Sequence, residues 1–213
     1  MRTVIFDLDG TLADTIPLVI DVLRDVIVEH GGPEMTDHEI TSRFGPTEEG
    51  MLRNLLGDGW KPAIEAYLRA YESAHDRDVL SFDGVAAVVR ELEARSVPMA
   101  VVTGKGARSA AITLRKLGYE SAFETVASGS MDGGVKAEKI ASIVDGWGVD
   151  PSEVAYIGDH PADVRDSRIA GVVSVVAAWK PDARPAEMAA LEPDVLITSQ
   201  DDLAAWVREA VVT

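Results

Sequence analysis

Ile5-Phe6-Asp7-Leu8-Asp9-Gly10-Thr11-Leu12-Ala13-Asp14-Thr15 is the stretch from which the rest of the chain can be read. Val4, Ile5 and Phe6 form a short apolar run that reads as a buried strand. Asp7 and Asp9 follow at its end. Residues two apart on a strand face the same way, about 6–7 Å apart at roughly 3.3 Å per residue. Gly10 then lets the backbone leave the strand through conformations closed to other residues. Two carboxylates placed together are costly unless a cation sits between them or one holds a proton. The pair therefore admits a divalent metal, acid/base chemistry, or plain solvation at a polar strand end. An isolated Asp-x-Asp does not choose among these; three matches further along the chain bear on the choice.

Ile16, Val19, Ile20, Leu23 and Ile27 recur at helical spacing, which predicts a helix over 16–29. Pro17 is tolerated in its first turn, and Gly31-Gly32-Pro33 stops it. Residues 36–79 carry only helical patterns, broken at Gly45-Pro46 and Gly57-Asp58-Gly59. Beyond Phe82-Asp83-Gly84 the pattern alternates. Strands are expected at 98–102, 123–127, 154–157, 172–176 and 194–197. Helices are expected at 85–94, 107–117, 137–145, 162–170 and 201–210. Such alternation implies a parallel sheet with helices on both faces. The expected fold is α/β and Rossmann-like, with a core from residues 1–15 and 81–213 and an inserted all-helical domain from 16–80. Ligands of such sheets bind beyond the carboxyl ends of the strands, where Asp7, Asp9, Thr103 and Asp159 fall.

Val101-Val102-Thr103-Gly104 places a hydroxyl at a strand end just before a helix, where free backbone N–H groups suit a phosphate oxygen. Helix capping is the competing role for Thr103. Gly104-Lys105-Gly106 is not a Walker A loop, because Met99 stands where that motif needs its first Gly. Lys136 opens a helix, where a cation is disfavoured unless it faces something negative. Lys139, one turn on, is the rival and is expected on the exposed face. Gly158-Asp159-His160-Pro161-Ala162-Asp163 ends a strand with one acid and opens a helix with another. For Asp163, helix capping and metal ligation stand level. No His/Cys cluster suggests zinc. Carboxylates beside a phosphate suit magnesium.

The 213-residue chain is 46% hydrophobic and 26% charged, an ordinary globular balance, with a net charge of −16. That charge disfavours nonspecific binding to nucleic acid or anionic membranes, which need basic patches. It does not bar a phosphorylated substrate held by a local positive site. The absence of cysteine excludes a disulfide framework, a thiol nucleophile and Cys-ligated zinc. No apolar run reaches the ~18 residues of a membrane span, and acidic residues arrive too early for a signal peptide. A cytoplasmic protein, monomeric or homodimeric, is expected.

Asp7-Leu8-Asp9-Gly10-Thr11-Leu12-Ala13-Asp14-Thr15, Val101-Val102-Thr103-Gly104, Lys136 and Gly158-Asp159-x-x-x-Asp163 resemble, in order, the four motifs of the haloacid-dehalogenase-like hydrolase superfamily. The 23-residue step from Lys136 to Asp159 is also similar. The helical insertion resembles the cap of phosphoglycolate-phosphatase-like and β-phosphoglucomutase-like members. Gly104 and Ala137 depart from the Asn and Pro that many such relatives carry. The resemblance implies a magnesium-dependent phosphatase acting on a small phosphorylated metabolite. Asp7 would be the nucleophile, Asp9 the acid and base, and Thr103, Gly104 and Lys136 the phosphate-binding groups. Magnesium would be held by Asp7, the Asp9 carbonyl, Asp159 and Asp163. Arg43-Phe44-Gly45 resembles the specificity loop of relatives, with hinges near 13–16 and 80–84. A phosphomutase, and from another class a non-catalytic phospho-accepting or phosphate-binding module, are the alternatives.

Overall fold

The computed structural model describes residues 1–77 and 81–211. Six parallel strands form one sheet: β1 Thr3–Phe6, β2 Met99–Val102, β3 Thr125–Ala127, β4 Val154–Gly158, β5 Val173–Ala177 and β6 Val195–Ile197. Their order is β3-β2-β1-β4-β5-β6. The chain winds outward from β1 through β2 to β3, then crosses back to β4. The strand order therefore reverses beside β1, and a crevice opens at that point above the carboxyl ends of β1 and β4.

Alternation along the short strands divides the core. Val4, Phe6, Met99 and Val101 point to one face, with Leu92, Leu114, Leu203 and Val207. These come from α5 Asp83–Ala94, α6 Ala107–Lys116 and α10 Gln200–Ala210, after α1 Ile16–Glu29, α2 Asp37–Thr41, α3 Glu48–Leu56 and α4 Trp60–His75. Ile5, Ala100 and Val102 point to the other face, with Ile140 and Val144 of α7 Lys136–Trp147. A smaller cluster joins Val164 of α8 Pro161–Ala170 to Val176 and to Met188 of α9 Pro185–Ala189. Both faces of the sheet are thus covered, as the apolar strands require.

Helices α1 to α4 pack around a separate apolar cluster that includes Leu23, Ile27, Leu52, Tyr67 and Tyr71. Ile112 of α6 joins that cluster and seats the helices on the sheet domain. The segments going out to this layer and coming back lie side by side: Ala13 bridges both Asp9 and Ser81. Of the expected hinge at 80–84, Leu80 lies outside the described residues. Gly84 is tied to α10 through its N–H, which donates to Gln200 Oε1 at 2.7 Å.

One expectation needs correction, and one element has no counterpart in the sequence reading. Strand β1 ends at Phe6, so Asp7 and Asp9 lie just past it rather than on one strand face. The short helix α9 is not legible in the sequence, because five residues are too few to show a helical period. The four tryptophans pack, partly buried, against the apolar clusters. Trp179, for example, meets Phe82 edge-on with ring centroids 6.4 Å apart.

Candidate active site

The carboxyl ends of β1, β2 and β4, the start of α7 and the underside of the helical layer enclose a cavity of about 570 Å³. Asp7, Asp9, Thr103, Gly104, Lys136 and Asp159 line it. Asp163, 2% exposed, is not part of this lining but meets Lys136 Nζ at 2.6 Å.

One side of the floor is acidic. Oxygens of Asp7, Asp159 and Asp163 come within 4.8 Å of one another. Asp7 is placed by the sheet: its N–H continues the β1–β4 ladder to Ile157 O at 2.8 Å. Its Oδ1 accepts from Leu8 N at 2.8 Å, and its Oδ2 accepts from Lys136 Nζ at 2.9 Å. The same ammonium reaches Asp163 Oδ1 at 2.6 Å. Burial raises the Asp7 pKa to about 7; Lys136 opposes the shift, and Asp163 and Asp159 add to it. Burial works against the Lys136 ammonium in turn, but Asp163 and Asp7 hold its pKa well above the usual lysine value. The cation at the start of α7 therefore does face negative charge.

Asp163 takes the helix-start role that its position allowed. Its Oδ2 accepts the His160 N–H at 2.9 Å and caps α8, while its Oδ1 faces Lys136. His160 completes that capping box, its Nδ1 accepting from Ala162 N at 3.2 Å. Asp159 Oδ2 pairs with Lys180 Nζ at 2.7 Å, and burial raises the Asp159 pKa against that neighbour.

Gly10 and Gly158 make room for these acids. A Cβ on Gly10 would lie 2.2 Å from Asp159 Oδ2, and Gly10 has φ +83°. A Cβ on Gly158 would lie 2.4 Å from Asp163 Oδ2. Gly10→Ala is expected to push Asp159 aside and to weaken divalent-cation binding by about tenfold or more, the scale of a disturbed metal-ligand shell. Calorimetric titration with magnesium checks this; wild-type affinity would show that Asp159 does not need its place beside Gly10.

Asp9 belongs to a different group. Its Oδ1 accepts from the Thr15 hydroxyl and lies 3.2 Å from Lys105 Nζ. Lys105 in turn reaches Glu48 Oε1 at 3.1 Å. The two acids of the opening stretch therefore diverge. Among the described residues, the acidic cluster includes Asp7 and not Asp9.

Thr103 does not cap a helix: α6 starts at the N-cap Gly106. The Thr103 hydroxyl accepts from Lys105 N at 3.1 Å within a tight turn and keeps its own proton to donate. Phe44 and Gly45 line the cavity. Arg43 turns away, donating from its exposed guanidinium to Glu39 O at 2.5 Å. Lys139 is not on a free face: its ammonium donates to the Ser128 carbonyl.

Sequence reading misses Lys105, Glu48 and Lys180. The Lys105 signal is present, a lysine between glycines at a strand end, but the pattern reads only as a failed Walker motif. Lys180 also follows a strand, β5. Glu48 looks like any acid in a first helical turn, and nothing local marks it as buried.

The residues are of the right kind for a divalent cation. Asp7, Asp159 and Asp163 offer three carboxylates within mutual reach, all oxygen donors of the kind magnesium prefers.

The chain is similar to several known proteins. The tyrosine-protein kinase PtkA of Mycobacterium tuberculosis is 32% identical over 181 residues, 84% of this chain; the chain spans only 62% of that relative's length. A phosphoglycolate phosphatase of Xanthomonas campestris pv. campestris is 27% identical, over 96% of this chain and 97% of its own. The crystal structure of a hydrolase from Pseudomonas syringae superposes with a TM-score of 0.79 at 18% identity, each chain covered fully. That likeness shows the shared fold. The family model described as haloacid dehalogenase-like hydrolase matches residues 4–177, which take in the Asp7 segment, Thr103, Lys136, Asp159 and Asp163. On that match the chain belongs to the haloacid dehalogenase-like hydrolase family.

Proposed function

We propose that the chain is a magnesium-dependent phosphatase that hydrolyses a small phosphorylated metabolite through an aspartyl-phosphate on Asp7. One observation carries the reading: Asp7 sits at the switch point of the sheet with one oxygen held by Lys136, beside Asp159 and Asp163. The names of the relatives support it, since a phosphatase and a kinase both handle phosphoryl groups. A cavity of about 570 Å³ suits a metabolite rather than a polymer.

Asp7 attacks phosphorus, forming a bond from a carboxylate oxygen while the bond to the leaving oxygen breaks. Splitting hydrolysis in two in this way is covalent catalysis. The carboxyl of Asp9 gives a proton to the leaving oxygen. It then takes one from the water that attacks phosphorus, as the bond to Asp7 breaks and inorganic phosphate departs. The Thr103 hydroxyl and the Gly104 backbone hold phosphate oxygens. Lys136 offsets the charge gathered on phosphate and Asp7, the main need in phosphoryl transfer. Asp7, Asp159, Asp163 and the Asp9 carbonyl would hold magnesium, which would supply further positive charge to the phosphate. The direction of the Asp9 carboxylate, away from the acidic cluster and toward Lys105, supports its separate task.

Helices α1 to α4 serve as a lid on the core, with its hinge at the paired segments around Ala13 and Ser81. Seating it excludes water and brings Phe44 and Gly45 over the site.

The function is tested by magnesium-dependent phosphate release across a panel of phosphomonoesters, with Asp7→Asn as the blank. Asp9→Asn refines the assignment. Losing the proton donor is expected to lower kcat about 10²-fold or more on alkyl phosphates and far less on aryl phosphates, whose leaving groups need little protonation. Equal losses on both classes would remove Asp9 from the acid role.

A further inference from the structure

The most heavily buried charges outside the acidic cluster join the lid to the core. Glu48 stands in the first turn of α3, yet it is 4% exposed and its carboxylate is filled with donors, three of them from the core side. Oε2 accepts the Gly106 N–H at 2.8 Å. Oε1 accepts from Ser109 Oγ at 2.9 Å, from Lys105 Nζ at 3.1 Å and from Tyr67 OH at 3.3 Å. The N-cap of α6 is a glycine with no side-chain cap of its own. Glu48, 58 residues earlier in the chain, supplies the carboxylate that this helix start favours.

Lys105 is the link onward. Its side chain is 1% exposed, its ammonium stands 4.7 Å over the Tyr71 ring, and it meets two acids, Glu48 on the lid and Asp9 on the core. Its backbone is fixed as well: the carbonyl accepts Gly129 N at 2.8 Å, and the N–H donates to Thr103 Oγ1 at 3.1 Å. Cα of Lys105 therefore cannot shift freely, and the ammonium's place depends on which acids are present. A buried lysine shared between two carboxylates holds both at a fixed separation, since each loses far more from an absent partner than it gains from a present one.

We propose that Lys105 is a positioning residue for Asp9, and that Glu48 sets its place only when the lid is seated. The acid/base carboxylate is thereby aimed at the leaving oxygen in the closed enzyme. With the lid away, Lys105 swings with its single remaining partner and Asp9 loses its alignment. The inference rests on the proposed phosphatase reading for the role of Asp9, but not for the Glu48 tie itself.

Two measurements test it. The first reads the tie without turnover, by amide hydrogen exchange at Gly106 in wild type and in Glu48→Ala. Exchange is expected to speed up about tenfold or more as the N–H loses its partner; unchanged exchange would overturn the tie. The second reads the consequence. Lys105→Met alone leaves the Glu48 carboxylate buried without a cation and can fail to fold, so Lys105→Met/Glu48→Gln is the informative variant. It keeps shape and removes both charges. It is expected to lose about 10- to 100-fold in kcat on glycerol 3-phosphate, the scale of a misplaced catalytic group, while p-nitrophenyl phosphate falls less than about threefold and KM barely moves. Wild-type rates on both substrates, or equal losses on both, would overturn the positioning role. Absence of any wild-type phosphatase activity would sink the functional reading and the Asp9 role with it. The exchange result would still decide the lid–core tie.

Discussion

Asp7→Asn is expected to remove magnesium-dependent phosphate release altogether, a loss of about four orders of magnitude or more, as for other enzymes stripped of their nucleophile. The expectation comes from geometry. Asp7 presents an oxygen at the crevice where the sheet reverses, with Leu8 N on one oxygen and Lys136 on the other. An amide at this position keeps the size and the hydrogen bond from Leu8, but it cannot form the acyl phosphate. Retained turnover would take the nucleophile role from Asp7.

The same variant carries its own control for folding. In chelator, the folded-state pKa of Asp7 is raised from 3.8 to about 7 by burial and its acidic neighbours. A carboxyl with a raised pKa keeps a proton that the unfolded chain has already released. Wild-type stability should therefore fall as pH rises from about 4 to 7, by about 1.4 kcal/mol for each pH unit separating the folded and unfolded values. The substituted amide has no proton to lose. The variant should show a flatter melting profile over that window and should melt above wild type at pH 8. A variant that melts lower at every pH would mean that its inactivity reports misfolding. Magnesium should narrow the gap, since it stabilises the ionised wild-type site.

Lys136→Met is expected to have the second-largest effect, and it acts on stability and rate together. Lys136 is the ammonium between Asp7 and Asp163, 2.9 and 2.6 Å from them. Without it the remaining ion-pair partner of the three acids among the described residues is Lys180, on Asp159. Breaking a buried ion pair on one side destabilises by about 3–5 kcal/mol. The metal-free variant should show such a loss, with part of it recovered by millimolar magnesium. Turnover should fall by about 10³-fold, the scale of removing a charge-stabilising group from the transition state. A variant that melts like wild type in chelator would show that the three acids tolerate each other by protonation alone.

The fold was legible because short, largely apolar strands alternate with helical patterns. Val4-Ile5-Phe6 and Val101-Val102 read as buried strands once the alternation with helices implies a parallel sheet, and every strand and α-helix beyond residue 97 except α9 falls within a few residues of its expected place. The ends drifted where capping decides them. Asp83 and Lys136 were expected outside or at the edge of helices that in fact begin with them. Within the site, Asp7, Lys136, Asp159 and Asp163 were visible because each stands at a strand end or helix start, and those ends converge on one edge of the sheet. Glu48 was invisible for the opposite reason. Its importance lies in what α6 and Lys105 bring to it from more than 50 residues away.

The opening stretch shows the boundary most clearly. Local periodicity and strand topology were enough to say that two acids follow the first strand, that a glycine follows them, and that they lie at the ligand-binding edge of the sheet. That the two acids part company is a product of packing. The strand ends at Phe6, so the period of two no longer governs where the side chains point. Asp7 turns to Lys136 and the acidic cluster, while Asp9 turns to Thr15, Lys105 and, through it, the lid. Which charge a buried carboxylate meets is set by long-range contacts, because the partners come from elements that the chain reaches only after folding.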